Sequence, residues 1–184
     1  IIKESDGILV ARGDLGVEVE YEKVPVIQRK IIQKCRIASK PVLIATQMLE
    51  SMIKKPTPTR AEISDIASAV YDDVDGIMLT AETSIGKFPF KAVNVMRTIA
   101  DNLELEGVNN FYHNKKLESS LNNIQSAISH AVFRLTSDLD VKAVVVMTES
   151  GSTGRFISSF RPQVPIYSFS PCETVCRQMN MIWG

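Results

Sequence analysis

The run Asp6-Gly7-Ile8-Leu9-Val10-Ala11-Arg12-Gly13-Asp14-Leu15-Gly16-Val17-Glu18 decides the fold. Its apolar centre, 8–11, is too short for a helix, contains no polar residue and gives way at once to Arg12-Gly13-Asp14. That pattern predicts a strand buried on both faces that delivers polar groups at its C-terminal end. The pattern returns at 42–45, followed by Thr46-Gln47, and at 77–79, followed by Thr80-Ala81-Glu82. From Ile8 to Val42 is 34 residues, from Val42 to Gly76 is again 34, and a helical pattern fills each interval. Such a βα repeat makes its strands parallel, because no short hairpin can join them. A barrel and an open doubly wound sheet both satisfy it.

In the first interval Ile27, Ile31, Cys35 and Ala38 recur on one helical face. Lys34, Arg36 and Lys40 gather near its end, where helix carbonyls favour cations, and Lys40-Pro41 stops it. Thr59-Arg60-Ala61-Glu62 predicts a capping box opening the next helix, with Ile63, Ile66, Ala67 and Val70 inward. A third helix over 90–105 turns Val93, Met96, Ile99 and Leu103 to one side, with Pro89 in its first turn. The stretch 106–118 breaks the periodicity and predicts a boundary between domains at 1–105 and 119–184. Beyond it the patterns predict a helix near 120–135 with Ile124, Ala127, Ile128, Ala131 and Leu135 on its buried face. A strand at 143–147, a Ser/Thr/Gly loop, a helix near 155–160, a strand at 166–169 and a helix near 173–179 follow. This second α/β unit is short of strands.

Composition excludes several classes. Twenty-one Lys+Arg balance 21 Asp+Glu in 184 residues, and no basic run exceeds two residues. No footprint for nucleic acid or an anionic membrane exists, so neither is expected as a partner. No apolar stretch approaches the roughly 18–20 residues of a membrane-spanning helix. Cys35, Cys172 and Cys176 form no disulfide framework and no basic, then apolar, leader opens the chain, which predicts a reducing, cytoplasmic setting. Starting at Ile1 without Met and stopping at Trp183-Gly184, the chain reads as a piece of something longer.

Parallel βα proteins bind ligands at the C-terminal edge of the sheet. There Asp14, beside Gly13 at the start of a tight turn, can offer a carboxylate to a hard cation while neighbouring amides serve an anion. The same residues also read as a plain turn with a cap. Thr46 reads as a ligand hydroxyl or as a satisfied core hydroxyl, and Glu82 reads best as a surface acid or a helix N-terminal charge. The loop Thr148-Glu149-Ser150-Gly151-Ser152-Thr153-Gly154 places four hydroxyls and two glycines between a strand and a helix, and can wrap a phosphate. It lacks a P-loop lysine, and Glu149 opposes an anion. The alternative is an ordinary turn capped by Ser152 or Thr153. His130 and His113 read as core or surface residues. Cys172 and Cys176, one helical turn apart, lack a second pair for zinc.

The run at 6–18, Lys40-Pro41-Val42-Leu43-Ile44-Ala45-Thr46-Gln47-Met48-Leu49-Glu50-Ser51-Met52, and Pro58-Thr59-Arg60-Ala61-Glu62 resemble, in order, the barrel signatures of the pyruvate kinase family. The loop 148–153 with Phe160-Arg161-Pro162 and Pro165-Ile166 resembles that family's effector loop and the strand after it. The resemblance implies the last three βα units of a (β/α)₈ TIM barrel, followed by an incomplete C-terminal α/β domain. It further implies a glycolytic phosphotransferase acting on phosphoenolpyruvate and ADP, with Mg²⁺ or Mn²⁺ and K⁺ as cofactors and a homotetramer as the assembly. On it, Asp14 matches the metal ligand, Gly13 and Asp14 the backbone donors to the substrate carboxylate, and Thr46 the substrate-binding hydroxyl. Thr148, Glu149, Ser150, Gly151, Ser152 and Thr153 match a site for a phosphorylated effector. The catalytic lysine matches nothing in these residues, so the 184-residue chain alone is expected to be inactive. Thr80-Ala81-Glu82-Thr83 departs from Ser-Gly-Glu-Thr, which predicts strain at Ala81 if the backbone there needs positive φ. Gly154 replaces an alanine and predicts a looser helix start. The competing expectation is a non-catalytic regulatory or subunit-interface piece that binds a sugar phosphate.

Overall fold

The computed structural model describes residues 1–105 and 123–184. The expected boundary at 106–118, with His113, lies outside the described residues. The described residues gather into two compact units, one of Leu9–Ile32 and 42–105, the other of Ile1–Ile8, Gln33–Pro41 and 123–184.

Strands β1 (Ile8–Ala11), β2 (Val42–Ala45) and β3 (Gly76–Met78) form one sheet in that order. β2 and β3 run parallel, with Leu43 opposite Gly76 and Ala45 opposite Met78. A Cβ on Gly76 would stand 2.7 Å from a Leu43 methyl, so glycine lets the two strands close up at this pair. Central β2 is buried at Val42, Ile44 and Ala45, as a two-faced strand requires. The flanking strands are not. Leu9 and Met78 are exposed and only Val10 of β1 is buried, because each flanking strand has a neighbour on one side alone among the described residues.

Helices α1 (Arg12–Glu18), α2 (Val24–Ile37), α3 (Arg60–Tyr71), α4 (Ala81–Ser84) and α5 (Pro89–Leu105) follow the strands. The expected inward face of α2 is rotated. Val24, Gln28, Ile32, Cys35 and Arg36 are buried, while Ile27 and Ile31 are half-buried and Ala38 is exposed. Counting aliphatic positions misplaced the face because two polar side chains lie on it. Arg36, in the last turn as expected, is buried and donates from Nε (3.3 Å) and Nη2 (3.1 Å) to the Ser159 carbonyl. On α3 and α5 the same small rotation exposes Ile63 and Val93 and buries Ala69 and Ala92.

The capping box forms. Thr59 Oγ1 accepts from Glu62 N–H (3.3 Å), and the Glu62 carboxylate accepts from Thr59 N–H (2.7 Å). Glu62 also accepts from Ser51 N–H (2.7 Å) and Ser51 Oγ–H (2.6 Å), which fastens α3 to the 3₁₀ turn Glu50–Ile53.

In the second unit α6 (Ile124–Asp138), β4 (Val144–Met147), α7 (Ser152–Ser158), β5 (Ile166–Phe169) and α8 (Glu173–Met179) follow in order. β4 and β5 pair in parallel from Val144–Ile166 to Met147–Phe169. The predicted face of α6 points the other way: Ile124, Ile128 and Leu135 are exposed and Ala127 and Ala131 with them. Aromatic packing sets the helix rotation instead. Ser129 is buried, and the His130 and Phe133 rings lie 5.5 and 6.1 Å from that of Phe160, centroid to centroid. α7 begins at 152, three residues before the expected start. After it, Arg161 takes φ +55 and returns Nη1 to the Ser158 carbonyl (2.9 Å). Its guanidinium sits 5.5 Å over the Trp183 ring, a cation–π contact.

Burial raises the Glu62 carboxyl pKa, but the hydrogen bonds from Ser51 and Thr59 outweigh it, and the net pKa lies below the ordinary 4.5. A carboxyl depressed on folding contributes stability that is complete above about pH 5 and is lost as pH falls through the folded pKa. Urea midpoints of the full-length protein are expected to drop between about pH 5 and pH 3, and Glu62→Gln should flatten that part of the profile. An unaltered profile in the Gln variant would remove Glu62 as its source.

Candidate functional site

β1 and β2 are neighbours, and bonds join their starts, Ile8 N–H to the Pro41 carbonyl, and the loops after their ends, so their C-terminal ends lie side by side. Gly13 N–H donates to Thr46 Oγ1 at 3.0 Å, which joins two residues 33 apart in the chain. Gly13 and Asp14 belong to the first turn of α1 rather than to a free turn. Asp14 is exposed and makes no hydrogen bond or ion pair with a described residue. A carboxylate in the first turn of a helix is favoured by the unpaired amides there, and its outer lone pairs stay open to a hard cation. Among the described residues no three His, Cys, Asp or Glu side chains cluster to hold a metal. Asp14 therefore fits a divalent ion as one oxygen donor, not as a complete ligand set.

The residue that holds this corner together is one the sequence did not single out. Arg12 is 7% exposed. Its Nε (3.2 Å) and Nη2 (2.8 Å) donate to the Thr46 carbonyl, and Nη2 donates to the Gln47 carbonyl at 2.7 Å. Nη1 pairs with Asp65 Oδ2 of α3 at 2.5 Å, and Met48 Sδ lies 2.9 Å from Nη2. Thr46 and Gln47 both lie in the left-handed region, at φ +69 and +55. For a β-branched threonine that conformation is a genuine outlier, and it persists only where surrounding bonds over-determine it. An arginine directly after an apolar strand was the available signal. Three of its bonds go to backbone carbonyls, which have no sequence identity, and its carboxylate partner Asp65 lies 53 residues away.

Glu82 corrects an expectation. It is 2% exposed, so it is not a surface acid, although it does lie in the first turn of α4 as a helix N-terminal charge; its two oxygens accept from Leu49 N–H (3.0 Å) and Thr80 N–H (2.9 Å). It thereby ties the loop after β2 to the loop after β3. Ala81 opens α4 and is not among the residues with positive φ, so the anticipated strain is absent.

In the second unit, residues 148–151 form a loop, Ser152 and Thr153 open α7, and several polar groups of this segment bond to each other. Thr148 Oγ1 accepts from Gly151 N–H (3.0 Å), and Ser150 Oγ accepts from Ser152 N–H (3.4 Å) and meets Ser152 Oγ at 3.2 Å. Gly151, at φ +77, caps α7 in place of Ser152 or Thr153. Glu149, Ser150 and Thr153 are exposed. Gly154 is more than a loosened helix start: a Cβ there would meet the Met179 methyl of α8 and, at 2.8 Å, Ser168 Oγ of β5.

The family model of the pyruvate kinase barrel domain matches residues 1–93, and that of the pyruvate kinase alpha/beta domain matches 126–184. Pyruvate kinase 2 of Synechocystis sp. is 45% identical over 184 residues, which cover the whole of this chain and 30% of the relative. Pyruvate kinase of Clostridium acetobutylicum is 44% identical over 184 residues, covering 39% of its own length. The crystal structure of a pyruvate kinase from Cryptosporidium parvum superposes with a TM-score of 0.91 at 43% identity, over 100% of this chain and 38% of that one. The chain thus spans about a third of the length of the relatives it matches.

Replacing Glu82 by Gln leaves one acceptor for two buried amides and turns an NH₂ toward the other. A hydrogen bond to a charged group is worth roughly 1.5–3 kcal/mol, and Glu82→Gln in the full-length protein is expected to destabilise it by about that much. Urea unfolding measures it; a loss below about 0.5 kcal/mol would show that the loops hold without this carboxylate.

Proposed function

This chain belongs to the pyruvate kinase family, and from that premise we propose that it supplies part of the substrate and metal site of an enzyme that moves the phosphoryl group of phosphoenolpyruvate to ADP. The observation that carries the proposal is the bond between the Gly13 amide and the Thr46 hydroxyl at the end of the strands, with the exposed Asp14 carboxylate next along the chain in the first turn of α1. Thr46 Oγ1 accepts from Gly13 N–H, which leaves its own proton to donate to a substrate oxygen. The Asp14 amide in the first turn of α1 and this hydroxyl would hold the substrate carboxylate, with the Gly13 amide, which donates to Thr46 Oγ1 here, joining them only by turning from that bond, and Asp14 would be one ligand of Mg²⁺ or Mn²⁺.

In the reaction the phosphorus–oxygen bond of phosphoenolpyruvate breaks as the β-phosphate oxygen of ADP bonds to phosphorus, and the enolate left behind takes a proton to become pyruvate. When bound, a divalent cation neutralises phosphate and enolate charge, the main requirement of phosphoryl transfer. What these residues do is position: Thr46 and the helix amides set the carboxylate end, and Asp14 supplies negative charge where the cation would sit. K⁺, a homotetrameric assembly and a cytoplasmic setting belong to the same proposal by family likeness. The lysine of the active site would lie outside these residues. For Thr148, Glu149, Ser150, Gly151, Ser152 and Thr153 the proposal is a weak phosphorylated-effector site, because Glu149 is exposed in the loop and no cation lies between 148 and 154. The alternative of a purely regulatory piece is not favoured, since the barrel-domain match covers 1–93.

In the full-length enzyme, Asp14→Asn should lower kcat severely and shift the Mg²⁺ and Mn²⁺ dependence to higher concentration, because a neutral amide replaces a carboxylate at a hard cation. A near-normal rate on an unchanged metal curve would take Asp14 out of the metal site. Thr46→Val keeps the shape and deletes the hydroxyl; kcat/KM for phosphoenolpyruvate should fall roughly 10- to 100-fold. An unaltered kcat/KM would mean that Thr46 only packs.

A further inference from the structure

We infer that Arg12 is a positioning residue which, braced by Asp65, holds Thr46 and Gln47 in their left-handed conformation and so aims the Thr46 hydroxyl; the functional half of this inference rests on the reading of Thr46 given above. Both residues sit at positive φ, a conformation a threonine abandons unless its neighbours forbid the alternative. The carbonyls that fix those two peptide planes are the ones the Arg12 fork binds, at 2.8 Å for Thr46 and 2.7 Å for Gln47. Rotation of Thr46 to an ordinary φ would reorient the chain that carries these acceptors and leave donors of a buried arginine without partners. Asp65 Oδ2 holds the opposite corner of the fork, on Nη1, so the cation cannot swing to follow the loop. Lysine could match the charge but not the planar fork that serves two carbonyls and a carboxylate at once.

The geometry separates this role from simple support. Gly13 N–H lies beside Thr46 Oγ1, and Arg12 precedes Gly13 in the chain. One residue therefore sets both halves of the amide–hydroxyl pair: its backbone leads into the amide of Gly13, and its side chain fixes the peptide that carries Thr46. Asp65 acts through Arg12, from a helix that follows β2.

The test uses the full-length enzyme with Arg12→Lys, Arg12→Met and Asp65→Asn, each examined by crystallography and by steady-state kinetics. In the two Arg12 variants, Thr46 should leave the left-handed region and the Gly13 N–Thr46 Oγ1 bond should open. Asp65→Asn, which keeps the guanidinium and spares folding, should give the same change in the same direction at smaller size. kcat/KM for phosphoenolpyruvate should fall roughly 10- to 100-fold while KM for ADP holds, and adding Thr46→Val to Arg12→Met should cost less than about threefold more. Thr46 found at its wild-type φ with the 3.0 Å bond intact in Arg12→Lys or Arg12→Met would overturn the inference. So would a full Thr46→Val penalty in the Arg12→Met background. If Thr46 moves and kcat/KM for phosphoenolpyruvate does not, the positioning role stands and it is the assignment of Thr46 to the substrate that fails.

Discussion

A buried arginine must find acceptors for its donors or forfeit several kilocalories, and at Arg12 this requirement organises the corner where the first two strands end. The guanidinium satisfies itself on two consecutive backbone carbonyls, Thr46 and Gln47, and on the Asp65 carboxylate. Those carbonyls point at it only because both residues adopt positive φ. The bonds between the guanidinium and these carbonyls thus offset both the cost of two unusual backbone conformations and the cost of burying a cation. Neither feature would survive alone.

The segment that follows extends the same logic. Leu49 N–H is taken by Glu82 at the start of α4, and Ser51 N–H by Glu62 in the first turn of α3. Between Thr46 and Ser51 the chain has no regular ladder to pair with, yet its backbone groups are met by three charged side chains from three other places in the sequence. Charge-assisted bonds are the strong ones, which suits them to holding an irregular loop in one shape. A loop held this way can carry a hydroxyl at a fixed point, as a rigid scaffold does for binding groups.

The second unit relies on shape more than charge. Phe133, His130 and Phe160 pack ring to ring, Arg161 covers the Trp183 ring, and Ser158 Oγ–H donates to the Trp183 carbonyl at 2.5 Å. The aliphatic residues of α6 lose the contest for the interior to this aromatic group, and Val145, Met147, Tyr167 and Phe169 leave one face of the β4–β5 pair open. Glycines at 151 and 154 admit Met179 close against the Ser/Thr loop.

Strand positions, the capping box of α3 and the parallel βα order were legible in the residues, because each follows from local periodicity, from turn chemistry, or from the order of elements along the chain; the bond between Gly13 and Thr46 was decided by the fold, which brings their two loops together. The rotation of α2 and of α6 was not, since it depends on which side chains fill a shared volume: Gln28 and Arg36 displaced aliphatic positions on one, and the Phe160 ring chose the inward face of the other. Glu82 was legible as a helix N-terminal charge but its burial was not, because its two partners are amides 33 and 2 residues away that any sequence would possess. Arg12 stayed anonymous for the same reason. A side chain that bonds to side chains leaves a pattern of residue types, whereas one that bonds to backbone leaves none until the fold brings that backbone within reach.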